Sequence, residues 1–337
     1  MRIIYAAPEG PAWFPLTHMV DLMARCLAAD LTVVRQDRAF SRIELLGALR
    51  GRRSRGTEDL LVVCPNPTTM RLVLADPSWR TGYRTVAAWV VDSWWDDRIP
   101  RLARRPSVFD LVYLTEAENR SSWEDITGAR IEHLPIGSDV VDNGFDPDRP
   151  ASIDVRRVGR MPQAWDDDAL LDRLCRERGL SFAGRPAFAD TPEEGLRLLW
   201  EAELRSRFVL SFSNAVSPDT RYTHPTAEYL TYRWTDALGC GCTTAGTLPR
   251  TRTVTDLLWE GANVDVPHDD PAAGLDVVAE HVRAWTPERS LRNRRQALAT
   301  LDWRHRFDRI RVDLGLDAPE LDRELERLGA AADSLPA

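Results

Sequence analysis

The sequence predicts an α/β protein with two domains, each built on a parallel β-sheet. Short apolar runs rich in β-branched residues alternate along the chain with stretches of helical period, which is typical of parallel sheets covered by helices. A length of 337 residues allows two domains of ordinary size. The segment from Asp139 to Pro150 is dense in turn-forming residues and predicts a linker.

The first half shows the alternation most clearly. Between its strands, the helical stretch Leu16–Ala29 places Leu16, Met19 and Val20 on one face. We predict one Rossmann-like layer within a first domain over residues 1–145. Its predicted strands are Arg2–Ala6, Leu31–Arg35, Leu60–Cys64, Thr85–Val91, Asp110–Leu114 and Ile131–Leu134.

A second α/β layer follows, within a domain over residues 151–300, and a mainly helical tail covers residues 301–337. Two such layers joined by a short linker form a cleft, and ligands of parallel sheets bind beyond the carboxyl ends of the strands. The predicted strands are Val155–Val158, Ser181–Ala183, Phe208–Phe212, Thr243–Ala245 and Ala262–Val266. The predicted helices cover residues 167–178, 193–205, 227–239 and 272–285.

Composition excludes several classes of protein. The net charge of -8 argues against a nucleic-acid-binding protein. All 44 basic residues are arginine, which excludes a lysine-based mechanism. Five cysteines scattered in apolar runs predict buried free thiols in a reducing compartment, with no zinc-finger spacing and no metal. No apolar run is long enough for a secretory or membrane segment, so we expect a cytoplasmic protein.

The segment from Thr223 to Gly241 is the most informative for chemistry. Glu228 and Asp236 stand eight residues apart, which on one helix separates them by roughly 12 Å. That is about the length of a sugar plus a diphosphate. The simple interpretation is that both acids are solvated charges on a helix surface. The predicted helix is largely apolar, however, and an acid on an apolar helix costs free energy unless it has a binding or structural partner.

These residues resemble the GT-B fold glycosyltransferases, most closely the retaining family-4 group and its CgeB-like relatives. Glu228 and Asp236 occupy the ends of that group's Glu-x7-Glu motif, with Asp in place of the second Glu. Further matches occur in the same order along the chain. His133–Asp139 is similar to the family's Pro-x-Gly-x-Asp turn, and Val158–Arg160 is similar to the Gly-Arg opening of its second domain. The segments Trp89–Pro100 and Leu301–Phe307, the latter a C-terminal helix, also resemble family segments.

The resemblance implies two Rossmann-like domains facing across a cleft, with a C-terminal helix crossing back to brace the first. It implies transfer of a sugar from a nucleotide-sugar donor to a hydroxyl of a small-molecule or glycan acceptor, with retention and without a metal. The first domain would bind the acceptor and the second the donor. We expect a UDP-sugar as the first candidate for the donor and a GDP-sugar as the second. We expect no separate cofactor, no nucleic-acid partner and no integral membrane segment.

The sequence departs from the family pattern at the diphosphate. It has no lysine and no glycine loop directly after Glu228, so Arg160 is the candidate for the phosphates. The amides around Thr226, if the helix begins there, and Gly10 in the loop after the first strand are further candidates.

Four other groups of residues have two interpretations each. His224 either reaches the sugar or acceptor or caps its turn, and Asp92 either deprotonates an acceptor hydroxyl or is a structural cap. The arginines of Arg50–Arg55 and Arg98–Arg105 hold an anionic acceptor or are solvated. Asp166–Asp168 is interpreted as acid at a helix start rather than as a metal-binding DxD.

Two alternative functions remain open. A GT-B-fold sugar-nucleotide epimerase would act on the nucleotide sugar alone and need no acceptor. A catalytically lapsed scaffold protein would account for the missing lysine and glycine loop.

Overall fold

The computed structural model describes residues 1–10, 13–41, 56–187, 189–219 and 223–336. These residues form two parallel sheets, of six and five strands, with helices at the C-terminus. The predicted α/β class, with two parallel sheets, is therefore confirmed. Two compact units are found, and the arginine-rich segment Arg50–Arg55 lies outside the described residues.

The first unit comprises Met1–Pro135 and Arg306–Glu324. Its sheet has the order β2-β1-β3-β4-β5-β6, with every neighbouring pair parallel. The strands are β1 (Arg2–Ala7), β2 (Asp30–Arg35), β3 (Glu58–Cys64), β4 (Tyr83–Val90), β5 (Leu111–Leu114) and β6 (Arg130–His133). The helices within the described part of residues 1–135 are α1 (Phe14–Cys26), α2 (Arg120–Thr127) and the 3₁₀ helices Pro67–Ala75, Asp96–Arg98 and Ala117–Asn119.

The second unit comprises Ile136–His305 and Leu325–Ala337. Its sheet has the order β11-β10-β9-β7-β8, again parallel. The strands are β7 (Ile153–Arg157), β8 (Phe182–Ala183), β9 (Ser206–Leu210), β10 (Thr243–Gly246) and β11 (Asn263–Asp265). The helices up to residue 300 are α3 (Asp168–Glu177), α4 (Pro192–Leu204), α5 (Tyr232–Gly239), α6 (Arg252–Leu257), α7 (Pro271–Arg283) and α8 (Pro287–Thr300), with the 3₁₀ turn Gln163–Trp165.

The central strands are buried because their apolar runs are covered on both faces, whereas the edge strand β2 is mostly exposed. In β3 every residue after Glu58 is buried, as continuous Leu and Val content predicts for a central parallel strand. Helix α1 buries Leu16, Met19 and Val20 as its period predicts. All five cysteines are buried free thiols, as expected. None of the described helices has the length and hydropathy that a membrane span needs.

The chain returns to the first unit near its C-terminus. Helix α9 (Trp303–Leu314) begins in the second unit and continues in the first, and α10 (Pro319–Asp333) leads back. Within the first unit, Arg84 Nη2 donates to the Leu314 carbonyl at 2.7 Å and the Tyr113 hydroxyl donates to Asp313 at 3.2 Å. The predicted return of a C-terminal helix to the first unit is confirmed.

A buried ion cluster fastens the start of the second unit to its end. The Arg304 guanidinium, fully buried, contacts the carboxylates of Asp139 at 2.8 Å, Asp142 at 2.7 Å and Asp302 at 3.1 Å. Ser138 and Asp302 also form a parallel bridge. Asp139 of the predicted Pro-x-Gly-x-Asp turn is therefore a structural residue.

Candidate functional site

The candidate site lies at the carboxyl edge of the second sheet. All strands of this sheet are parallel, so the loops that follow β7, β8 and β9 emerge at one edge, where open α/β sheets bind ligands. Gly159 and Arg160 follow β7, Arg185 follows β8, and the polar segment Ser211–Asn214 follows β9.

Arg233, in the first turn of α5, joins two of these loops. Its Nη1 donates to the Arg160 carbonyl at 2.9 Å and its Nη2 to the Phe212 carbonyl at 3.3 Å. Gly159 makes this approach possible, because it has φ +75° and a Cβ there would stand 2.6 Å from Arg233 Cδ. Sequence reasoning missed Arg233 and chose Arg160.

Three guanidinium groups converge around Gly159. Arg185 Nη2 donates to the Gly159 carbonyl at 2.6 Å, while burial first, and then the charges of Arg160 and Arg185, lower the pKa of Arg233 to about 10. In the part of the chain that the structure describes, no carboxylate pairs with any of the three. Positive charge without an acidic partner has the chemistry of an anion site.

Glu228 lies at the same edge, between the ends of β9 and β10. Its Oε2 accepts a hydrogen bond from the Ser213 hydroxyl at 2.6 Å and another from the Arg250 amide at 3.2 Å. Asn214 Nδ2 donates to the neighbouring Ala227 carbonyl at 2.8 Å. The loop that carries Glu228 is thus held in place by side chains that follow β9.

His224 and Thr226 form a capped turn in this loop. His224 Nδ1 accepts hydrogen bonds from the amides of Ala227 at 2.8 Å and Thr226 at 3.2 Å. An accepting Nδ1 places the ring proton of neutral His224 on Nε2. His224 thus caps its turn, with the Thr226 amide turned toward the ring, and its predicted contact with the sugar or acceptor stays a prediction.

The prediction that Glu228 and Asp236 share one helix is wrong. Helix α5 begins at Tyr232, because Thr231 is extended and the turn around His224 is capped on its own. Thr226 therefore does not supply amides at a helix start, and the predicted separation of the two acids along one helix axis does not apply.

Asp236 lies in the interior of the second unit. It is 2 % exposed, and its Oδ1 accepts a hydrogen bond from the Ser138 hydroxyl at 2.7 Å. The neighbouring Thr235 hydroxyl donates to the Gly137 carbonyl at 2.9 Å. The structure gives Asp236 the contacts of a structural anchor for α5, whereas the sequence suggested a contact to ribose.

Glu203 is a buried acid that the sequence analysis missed. It is fully buried in α4, and its Oε2 accepts the Cys240 thiol at 3.7 Å. Burial, with the nearby charge of Asp236 second, raises the pKa of Glu203 well above its usual range. Its occurrence at an ordinary helical position explains why no sequence signal distinguished it.

Asp92 and Gly10 belong to the first unit. Asp92 follows β4 and is half-buried, with its amide donating to the Pro65 carbonyl at 2.9 Å. Gly10 is exposed in the loop after β1, with φ +98°. Both stand at the carboxyl edge of the first sheet, and the roles predicted for them stay predictions.

The acidic residues Asp166–Asp168 and Asp96, of which Asp96 begins the pair Asp96-Asp97, have structural contacts. Asp167 caps α3 by accepting hydrogen bonds from the amides of Ala169 and Leu170, as predicted for acid at a helix start. Asp168 pairs with buried Arg157 at 2.6 Å, and Asp96 accepts the Ser122 hydroxyl at 2.6 Å. Over the described ranges no three His, Cys, Asp or Glu side chains group as metal ligands.

A shallow depression of about 440 Å³ opens beyond the ends of β7 and β11. Its lining residues are Pro162, Gln163, Ala164, His268 and Asp269. Prolines and loop residues gave no sequence signal for this feature.

No protein-family model and no curated protein sequence matches the chain. Solved structures resemble it at low identity. They include an S. aureus MnaA–UDP structure (11 % identity, TM-score 0.44, covering 100 % of this chain and 99 % of that one). The kitacinnamycin glycotransferase is 12 % identical, with a TM-score of 0.40 over 94 % of this chain and 98 % of that one. The spinosyn forosaminyltransferase SpnP is 9 % identical, with a TM-score of 0.40 over 92 % of this chain and 99 % of that one. These similarities assign neither a family nor a reaction.

Proposed function

We propose that this protein is a glycosyltransferase that takes a sugar from a nucleotide-sugar donor bound at the carboxyl edge of the second sheet. The observation that carries the proposal is the group of three arginines, Arg160, Arg185 and Arg233, which lacks a carboxylate partner in the described part of the chain. A diphosphate supplies the two negative charges that such a group favours.

The chemistry follows from the charge that develops as the donor breaks. The barrier is departure of the diphosphate from an oxocarbenium-like centre, so guanidinium groups held against the leaving group lower it. Arg233 is pre-positioned by its two carbonyl contacts and needs little reorganisation. In this proposal no metal is required and the anomeric configuration is retained.

Glu228 is proposed to face the transferred sugar. Its Oε2 is held by Ser213 and the Arg250 amide, which fixes the carboxylate at the same edge as the arginines. The depression beside Gln163 and His268 is proposed to hold the nucleoside. In this proposal residues 151–300 form the donor domain and residues 1–145 form the acceptor domain, in which Asp92 contacts the acceptor hydroxyl. Residues 301–337 brace the acceptor domain.

The proposal is tested by calorimetric binding of UDP, GDP and dTDP. We expect the wild type to bind one of them and Arg233→Met to weaken that binding at least tenfold, a loss of about 1.4 kcal/mol. The matched control is Arg283→Met, which removes an exposed arginine at the end of α7. Folded protein that binds none of the three nucleotides contradicts the donor site and favours a lapsed scaffold.

Product analysis separates transferase from epimerase. The protein is incubated with the matching nucleotide sugar, with and without a hydroxyl-bearing acceptor pool. A transferase releases nucleoside diphosphate in proportion to glycosylated acceptor. Interconversion of the nucleotide sugar without any acceptor would instead identify an epimerase.

A further inference from the structure

A second cavity lies at the opposite end of the second sheet from the candidate donor site. Its volume is about 190 Å³. It is enclosed by the segment Phe145–Ala151, the amino end of β9 at Ser206, the end of α5 at Cys240, and the segment from Trp285 to Leu291. None of these residues belongs to the proposed donor site.

The walls of this cavity select the kind of molecule that fits. Phe145, Leu204, Trp285 and Leu291 make most of its wall apolar, and buried Ser206 and half-buried Ser290 add polar groups. Arg207 forms an ion pair with Asp154, which neutralises its charge. Exposed residues of both signs, Asp146, Asp148 and Arg149, lie in the closing segment and favour no net charge.

The size of the cavity sets the size of the ligand. An apolar cavity of about 150 Å³ accommodates benzene. The present cavity is somewhat larger, so it accommodates one ring with a small substituent. The mixture of apolar walls with a few polar groups, among them Ser206 and Ser290, is typical of small-molecule sites, where such groups orient an apolar body.

The cavity wall also fixes the C-terminal end of α5. Arg294 lies over the Phe145 ring, 4.7 Å from its centre, and its Nη1 donates to the Gly239 carbonyl at 2.6 Å. A Cβ at Gly241 would stand 2.4 Å from Ser290 Oγ and 2.8 Å from the Phe145 ring. The cavity wall is therefore packed directly against the C-terminal end of α5.

Arg233 stands at the other end of the same helix. Six residues separate it from Gly239, which is about 9 Å along a helix axis. A helix of this length moves as a rigid element, so a shift at its C-terminal end moves the Arg233 guanidinium relative to the loops that follow β7 and β9.

We propose that this cavity is a binding site for a small uncharged molecule built on a single aromatic or aliphatic ring. We further propose that its occupancy changes nucleotide affinity through α5. The second statement rests on the proposed function, whereas the first does not.

Binding is tested by saturation-transfer NMR with three probes, phenol, benzyl alcohol and indole, at millimolar concentration. We expect saturable binding of at least one probe by the wild type and its loss in Ser290→Phe, which fills the cavity. Ala299→Phe places the same ring at an exposed position of the same helix and is expected to bind like the wild type. Leu291→Trp replaces Ser290→Phe if the latter does not fold.

Two results would overturn the site. One is a wild type that binds none of the three probes, and the other is equal binding by the wild type and the filled variant. Coupling is measured as the Kd of the nucleotide with and without saturating probe, with a change of about threefold or more expected. An unchanged Kd overturns the coupling alone. Absence of nucleotide binding counts against the proposed function and leaves the probe result readable.

Discussion

Gly159 and Arg233 approach so closely that a Cβ on Gly159 would stand 2.6 Å from Arg233 Cδ. Gly159→Ala must therefore displace the Arg233 side chain from its two carbonyl contacts. We expect nucleotide affinity, measured by calorimetry, to fall about tenfold. Gly179→Ala is the matched control, because Gly179 has a similar φ of +70° and open space around its Cβ.

Both glycine variants carry the backbone cost of a left-handed alanine, roughly 1–2 kcal/mol. We expect their urea midpoints to fall by similar amounts, because an arginine side chain can swing aside. Equal nucleotide affinity in the two variants would show that Arg233 does not hold the phosphates.

The hydrogen bond from Ser138 to Asp236 anchors α5 in the interior. Ser138→Ala removes a hydrogen-bond donor from a buried carboxylate, so we expect a loss of about 1–3 kcal/mol in the free energy of unfolding. Urea unfolding measures it, with the exposed Ser334→Ala as control. A loss no larger than that of the control would contradict the anchoring role.

Glu203 makes the stability of the protein depend on pH. Burial raises its pKa in the folded state, whereas in the unfolded state it titrates near 4.5. As the pH rises above that value, the unfolded state ionises first and stability falls. We expect Glu203→Gln to be more stable than the wild type at pH 7, because Gln keeps an acceptor for Cys240 and cannot ionise.

The measurement for Glu203 is urea unfolding of wild type and variant at pH 4, 6 and 8. The advantage of Glu203→Gln should be near zero at pH 4 and grow toward pH 8. Parallel pH curves for the two proteins would mean that folding does not raise the pKa of Glu203.

Asp76 has the opposite pH dependence. Burial alone would raise its pKa, but hydrogen bonds from Ser78, Tyr83 and Arg2 outweigh burial and lower the pKa to about 2. The stability that Asp76 contributes is present above pH 4 and is lost as the pH falls toward 2. Asp76→Asn should cost roughly 2 kcal/mol at pH 7, by the same linkage.

Acid titration of unfolding checks the prediction for Asp76. The difference between wild type and Asp76→Asn should shrink from pH 5 to pH 2, while the exposed control Asp269→Asn should change little at any pH. A difference that stays constant over this range would rule out the lowered pKa.

The strands were predictable because their signal is local. The run that predicts a strand over Thr243–Ala245 corresponds to β10, Thr243–Gly246, and Leu60–Cys64 corresponds to β3, Glu58–Cys64. Helix 227–239 was predicted too long. Its apolar period continues through Tyr229 and Leu230, which are buried in a loop instead. Periodicity reports burial and does not distinguish a helix start from a packed loop.

The candidate site was predictable only in part. Glu228 and Arg160 were recognisable from motif spacing, whereas Arg233 is one arginine among many. Its position depends on Gly159, a left-handed glycine from which two strands, β8 and β9, separate it in the chain. Asp236 had the stronger motif signal but lies in the interior. Its burial could not be predicted, because the sequence does not reveal Ser138 as its hydrogen-bond partner. Long-range partners of this kind depend on the tertiary fold.

The first unit is made from two pieces of chain that the main segment of the second unit separates. During synthesis on the ribosome, β1 to β6 emerge long before Asp313 and Leu314, which contact Tyr113 and Arg84. The first unit therefore waits, incomplete, while the second is translated. Loss of the last few dozen residues to a protease or a premature stop codon would damage the part of the protein that was made first.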